Sequence, residues 1–343
     1  MTEKPHHINE ARLAEYLETQ IKGFHGPVSA EKFTGGQSNP TFLLTTEHEQ
    51  YVLRSKPPGK LLKSAHAVDR EYRVLQALEN TPVPVAAPYC LCEDPEVIGS
   101  TFYVMSYEPG RIFWDPALPE LKKEQRSQIF EELIRVLAVM HTEDVTAVGL
   151  ADYGRPGNYF ERQLDRWTKQ YRAAETDKHE NVEHLISWLS ANMPEDDGQV
   201  SLIHGDYRMD NIIFHPEIPE AIAVLDWELS TLGHPIADLA YFCVCLRLPQ
   251  DGNTKGLAGI DREQLGIPSE KEVIEQYCRL RDMAPIESWG FYLAFSLFRL
   301  TAITQGVLKR ALDGNASSDQ ALQVGKAVPF LAEMAMAIIN EEN

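Results

Sequence analysis

One stretch of this chain constrains its architecture more than any other: Leu202-Ile203-His204-Gly205-Asp206-Tyr207-Arg208-Met209-Asp210-Asn211-Ile212-Ile213-Phe214. Apolar runs bracket a polar loop that carries His204, Asp206, Arg208 and Asn211. Fifteen residues after Asn211, the run Ala223-Val224-Leu225 delivers Asp226 at its end, ahead of Trp227-Glu228. Short apolar runs bounded by polar turns read as buried strands. Each acid therefore sits where a strand gives way to a loop.

The chain has 343 residues, more than one hydrophobic core usually organises, which implies two lobes. Its first third is strand-rich. Ile8, Leu13, Leu17 and Ile21 have helical spacing, and strands are expected at 31–33, 41–45, 51–56 and 102–107. A helix is expected over 65–78. Glu108-Pro109-Gly110 then breaks the pattern. Beyond the break helices dominate, with an apolar stripe Ile129, Leu133, Val136, Leu137 and Met140 and further helices at 159–173 and 181–191. Two short strands flanking a turn interrupt them around 201–227. The division expected from this order is a lobe at 1–107 and a larger one at 108–343. No internal repeat or low-complexity tract is visible.

Composition narrows the partners. A formal net charge of −19 argues against nucleic acid and anionic membrane surfaces and would suit a cationic substrate. The five cysteines include two C-x-C pairs, Cys90/Cys92 and Cys243/Cys245, and read as reduced, buried thiols of a cytoplasmic protein. The N-terminal residues contain no apolar core of a signal peptide. The longest apolar run, Trp289 to Phe298, is ten residues before Arg299, too short to span a bilayer and suited to a buried helix. Oligomeric state is not legible.

Phosphoryl transfer needs a carboxylate to take the acceptor's hydroxyl proton and oxygen ligands for magnesium. The Asp206-to-Asn211 offset of five matches the catalytic-loop pattern of kinases. Together with the apolar run ending in Asp226-Trp227 and with Gly233-His234-Pro235-Ile236-Ala237-Asp238, it resembles the aminoglycoside phosphotransferase family of the protein-kinase-like superfamily. That resemblance implies an α+β, bilobal kinase-like fold, with ATP or GTP and Mg2+ between the lobes and a small-molecule hydroxyl substrate on the helical side. It implies Asp206 as catalytic base, with Arg208 beside it in the catalytic loop, and Asn211 and Asp226 as magnesium ligands. His204 and Asp238 would buttress the loop.

The N-terminal lobe would then cradle the nucleotide. Gly35-Gly36-Gln37-Ser38-Asn39 lies between two expected strands, where small residues let backbone N–H groups approach phosphates, and it is equally readable as an ordinary hairpin loop. At the position of the kinase strand lysine stands Arg54, with Lys56 two residues later as the alternative. Glu71 would be the helical partner of that cation, or a solvated helix residue. Met105 to Gly110, including Tyr107, would meet the base, or is a plain strand end.

A closer likeness covers nearly the whole chain. Tyr51-Val52-Leu53-Arg54, Ser64 to Tyr72, and Asp152 to Phe160 with Gln163, Arg166, Trp167 and Tyr171 resemble the kinase-like domain fused ahead of the dehydrogenase in acyl-CoA dehydrogenase family members ten and eleven, and free-standing bacterial relatives. It implies a hydroxylated acyl acceptor, such as a 4-hydroxyacyl-CoA, and makes arginine usual at position 54. Arg155, Arg162, Arg166, Lys169 and Arg172 would suit CoA phosphates or form a solvated face. Three rivals stand beside this reading. A protein kinase is disfavoured, because only eleven residues separate Asp226 from Asp238 and no A-P-E follows. An aminoglycoside O-phosphotransferase and a catalytically silent nucleotide-binding scaffold remain.

Overall fold

The structure is a computed structural model that describes residues 8–33, 39–57, 67–155, 157–252, 254–314 and 321–342. In chain order the first elements are α1 (Glu10–Gln20), β1 (Ser29–Lys32), β2 (Thr41–Thr45), β3 (Gln50–Ser55), α2 (Val68–Leu78), β4 (Pro88–Cys92), α3 (Pro95–Ile98) and β5 (Phe102–Ser106). Next come α4 (Lys123–Thr142), α5 (Tyr159–Ala174), α6 (Glu180–Ala191), β6 (Ser201–Ile203), β7 (Ile212–Phe214), β8 (Ala221–Val224) and β9 (Thr231–Gly233). The chain ends in α7 (Ile236–Arg247), α8 (Arg262–Leu265), α9 (Glu270–Leu280), α10 (Trp289–Leu312), α11 (Ala321–Gly325) and α12 (Val328–Glu342).

Two compact units result: residues 1–111 with 212–228, and residues 112–211 with 229–343. In the first, an antiparallel sheet has the order β1-β2-β3-β5-β4. Side chains alternate across it. Leu13 and Leu17 of α1 share a core with Phe42, Leu44, Tyr51, Leu53, Phe102 and Val104 on one face. The residues between them, Arg54 on β3 and its register partner Tyr103 on β5, point to the other side, where α2 packs on β4 and β5. The β7–β8 hairpin belongs to this unit and is tied to it by paired backbone bonds between Arg111 and Phe214. The sequence division at 107 leaves that hairpin in the second lobe.

The second unit is helical around α10, which packs against α5, α6, α7, α11 and α12. Where two short strands were expected near 201–227 there are four, paired as β6 with β9 and β7 with β8. The apolar run also does not stop at Arg299: α10 has 24 residues and Arg299 is buried within it. By length and composition, α10 and the stretch Ala321–Glu341 could each cross a membrane, although 72% of the apolar window of α10 is buried in protein. All five cysteines are free and buried, so burial raises Cys243 and pushes Cys90 and Cys245 up to about 12, which keeps these thiols unreactive.

Candidate active site

In the first unit, one guanidinium gathers three carboxylates. Arg54 Nη2 lies 2.5 Å from Asp226 Oδ1 and 3.9 Å from Glu228 Oε2, and its Nε lies 2.8 Å from Glu71 Oε2. Strand alternation aims Arg54 at α2, and Glu71 sits one helical turn into α2 with 1% exposure. Asn39 Nδ2 donates to Glu71 Oε1 at 2.7 Å and the Tyr103 hydroxyl to Oε2 at 3.2 Å. Even so, burial pushes the Glu71 carboxyl up to about 7; Arg54 opposes the rise while Asp226 and Glu228 add to it. Burial opposes the charge of Arg54, but the surrounding acids outweigh it and hold the guanidinium firmly protonated. Three acids around one cation leave a negative surplus.

Asp226 follows β8 with φ +64°, a left-handed conformation that costs a non-glycine residue about 1 kcal/mol or more and recurs where function fixes a side chain. Lys56 instead pairs with Asp69 at 2.9 Å, both half-buried. Of the expected nucleotide contacts, Met105 is buried in β5 and Tyr107 lies just past it, half-buried. Gly35, Gly36 and Ser38 lie outside the described residues.

The second unit builds the Asp206 loop from β6 onward. Gly205 has φ +83°, and a Cβ there would stand 2.6 Å from the Leu229 carbonyl oxygen, so only glycine fits. Buried Asp238 on α7 accepts the backbone N–H of His204 at 2.6 Å and of Gly205 at 2.9 Å. Burial works against this carboxylate, but its bonds from His141 and the Gly205 amide outweigh it and hold it below the usual range. His141, fully buried and pushed down by that burial, lies 3.3 Å from Asp238 and 2.7 Å from the Tyr277 hydroxyl. His204 is buried and its Nδ1 accepts the Asp206 N–H at 3.1 Å. It therefore props the loop from within.

Both oxygens of Asp206 are held by neutral donors. The Tyr241 hydroxyl donates to Oδ1 at 2.7 Å, and Asn211 Nδ2 donates to Oδ2 at 3.2 Å and to the Asp206 carbonyl at 2.8 Å. Arg208 stands alongside, its Nε 3.4 Å from Oδ1, its other nitrogens donating to Thr254 and Asp210. Tyr241 and Arg299 are the participants that sequence reading missed. Arg299 donates to the Gly205 carbonyl and its guanidinium lies 5.4 Å from the Tyr241 ring centroid. In the basic segment, Arg162 donates to the Arg155 and Gly157 carbonyls, Lys169 pairs with Asp165, and Arg172 with Glu183 of α6.

Residues 29–271 match the phosphotransferase enzyme family. The chain belongs to that family. A crystal structure from Ralstonia eutropha, of a protein provisionally designated an aminoglycoside phosphotransferase, is 46% identical with a TM-score of 0.90, over 98% of this chain and 99% of that one. Choline kinase from Cryptosporidium parvum, at 12% identity and TM-score 0.62 over 96% and 95% of the two chains, shares the α+β, two-lobed kinase-like fold. Among curated proteins, mouse acyl-CoA dehydrogenase family member 10 is 46% identical over 98% of this chain, and human member 11 is 41% identical over 97%. The chain spans only 31% and 43% of those two proteins.

Proposed function

We propose that this phosphotransferase moves the γ-phosphoryl group of ATP (or GTP) onto the hydroxyl of a small molecule, with Asp206 as the base and Mg2+ as the metal. The observation that carries the reading is the Asp206 loop. Its carboxylate is fixed at both oxygens by Tyr241 and Asn211, the preorganisation a general base requires. In the reaction the acceptor oxygen bonds to the γ-phosphorus as the bond to the β,γ-bridging oxygen breaks. The hydroxyl proton passes to Asp206 and the nucleoside diphosphate leaves.

Asn211 and Asp226 supply the hard oxygens that suit Mg2+. The amide nitrogen of Asn211 makes both of its bonds to Asp206, which leaves the amide oxygen for a ligand. Asp226 lies in the acid-rich cluster around Arg54, where a divalent cation relieves the negative surplus. Among the described residues no group of three or more His, Cys, Asp or Glu side chains forms a metal site. When bound, the ion neutralises charge that develops on the phosphates.

For the acceptor, the finer proposal is a hydroxylated acyl compound, such as a hydroxy acid or its CoA thioester. Its support is the sequence kinship with the acyl-CoA dehydrogenase family members. A polycationic aminoglycoside is the second reading, favoured by the net charge of −19. The test is Mg2+- and ATP-dependent phosphate transfer across hydroxyacyl-CoAs, free hydroxy acids, aminoglycosides and a generic protein. Selective turnover of one small-molecule class is expected. Nucleotide binding with no transfer to any hydroxyl would overturn the reading.

A further inference from the structure

Within the second unit, beside the Asp206 loop, lies a cavity of about 260 Å³. Phe113, Trp114, Met209, Phe242 and Leu246 supply its apolar wall, and Arg208 its polar end. Phe242 and Leu246 are buried on α7, whereas Trp114 is 69% exposed, so the lining runs from a closed interior to an open mouth. A tryptophan this exposed beside a concave apolar surface marks a binding site better than a core position. The surrounding segments are tied together by polar bonds. Thr254 accepts from Arg208 Nη1 at 3.1 Å, and Lys255 Nζ lies 2.8 Å from Asp115 Oδ2.

Two features fix what the cavity accepts. First, its cations are already paired, Arg208 with Asp210 at 2.9 Å and Lys255 with Asp115 at 2.8 Å, so what the lining offers a ligand is its apolar wall. Second, its polar end is one side chain from Asp206: Arg208 Nε lies 3.4 Å from Asp206 Oδ1.

We propose that this cavity is the acceptor's hydrocarbon subsite and gauges its chain length, with Trp114, Phe242 and Leu246 as specificity-determining residues. A straight aliphatic chain lies against the apolar wall, and its hydroxylated end is directed toward Arg208 and Asp206. The apolar wall admits an uncharged chain and offers a polycation no unpaired acid among its lining residues. This inference rests on the phosphotransfer reading for its place in the reaction, but its binding behaviour can be measured without turnover.

The experiment titrates the whole protein calorimetrically with hydroxylated straight-chain acids of increasing length and with an aminoglycoside. The same acceptors are then assayed for phosphoryl transfer. Burial of each added methylene is expected to tighten binding about fourfold until the cavity is full, with no comparable binding of the polycation. Trp114→Ala, at an exposed position, should remain folded by thermal melt and lose about tenfold in affinity for the longest chains, with little change for the shortest. Leu246→Phe should move the plateau to shorter chains. Affinity that is flat with chain length, or preferential binding of the polycation, would overturn the proposal. Chain-length-dependent binding without transfer would leave the cavity assignment standing and remove the proposed activity. Transfer with flat chain-length dependence in wild type and Trp114→Ala alike would do the reverse.

Discussion

The Arg54 cluster and the Asp206 loop are both built around a carboxylate, and they treat it in opposite ways. Around Arg54 three acids share one guanidinium, and burial pushes Glu71 up to about 7. Around Asp206 neutral donors occupy both oxygens and a second, buried carboxylate pins the loop backbone. The first region is electrostatically unfinished and suits a bound cation and phosphates. In the second, the Asp206 carboxylate is held at both oxygens without a ligand, which suits a group that must keep one orientation through a reaction. On this account the two regions divide the work, so binding and chemistry should come apart under mutation.

The largest separation is expected from Asp206→Asn, which should lower kcat by about a thousandfold, within the usual range for a general base, with nucleotide affinity nearly unchanged. Steady-state kinetics beside calorimetric nucleotide binding check it. Next is Arg54→Ala, which strands a buried acid and should cost about 3 kcal/mol of stability in denaturant unfolding. Adding Glu71→Gln to it should restore most of that loss; failure of the rescue would mean that Arg54 acts through something other than charge.

Glu71 also gives the first region a pH signature. Its folded value lies above the ordinary carboxylate range, so the folded state holds the proton more tightly. The resulting stability is complete at pH values below that range and is lost as pH rises through about 7. In the absence of nucleotide and Mg2+, melting temperature should therefore fall more steeply with rising pH in wild type than in Glu71→Gln. Parallel slopes would contradict the burial of an acid there.

In the second region, Gly205→Ala forces a side chain against the Leu229 carbonyl in a left-handed conformation and should lose about 2 kcal/mol of stability together with activity. Tyr241→Phe is the mildest change. It removes one hydrogen bond to Asp206 and should reduce kcat about tenfold or less at unchanged KM for nucleotide. A matching rise in that KM would place Tyr241 in binding instead.

Much of this arrangement is legible in the sequence because the relevant signals are local. The offset between Asp206 and Asn211 lies within one loop, and β2 falls at 41–45 as its alternation predicts. Arg54 and Glu71 meet because strand alternation and helix phase each aim one side chain at the same side of the sheet. What escapes is non-local. The strand β9 has three residues, too short for a periodic signal, and pairs with β6 although β7 and β8 lie between them in the chain. An edge strand, β4, is not expected from the sequence; it begins with Pro88, a residue tolerated at a sheet edge. Tyr241 lies on α7, a helix buried through most of its length, where nothing in the pattern distinguishes a packed ring from a hydroxyl aimed at a base. Arg299 reads as the end of an apolar run; burial against Gly205, Trp167 and Tyr241 explains how the helix continues through it.

The division of labour is tested most directly by measuring nucleotide affinity as a function of Mg2+ in wild type, Asp206→Asn and Asp226→Ala. The account predicts that Asp206→Asn retains the wild-type Mg2+ dependence and that Asp226→Ala loses most of it. Equal loss in both variants, or unchanged Mg2+ dependence in Asp226→Ala, would contradict it.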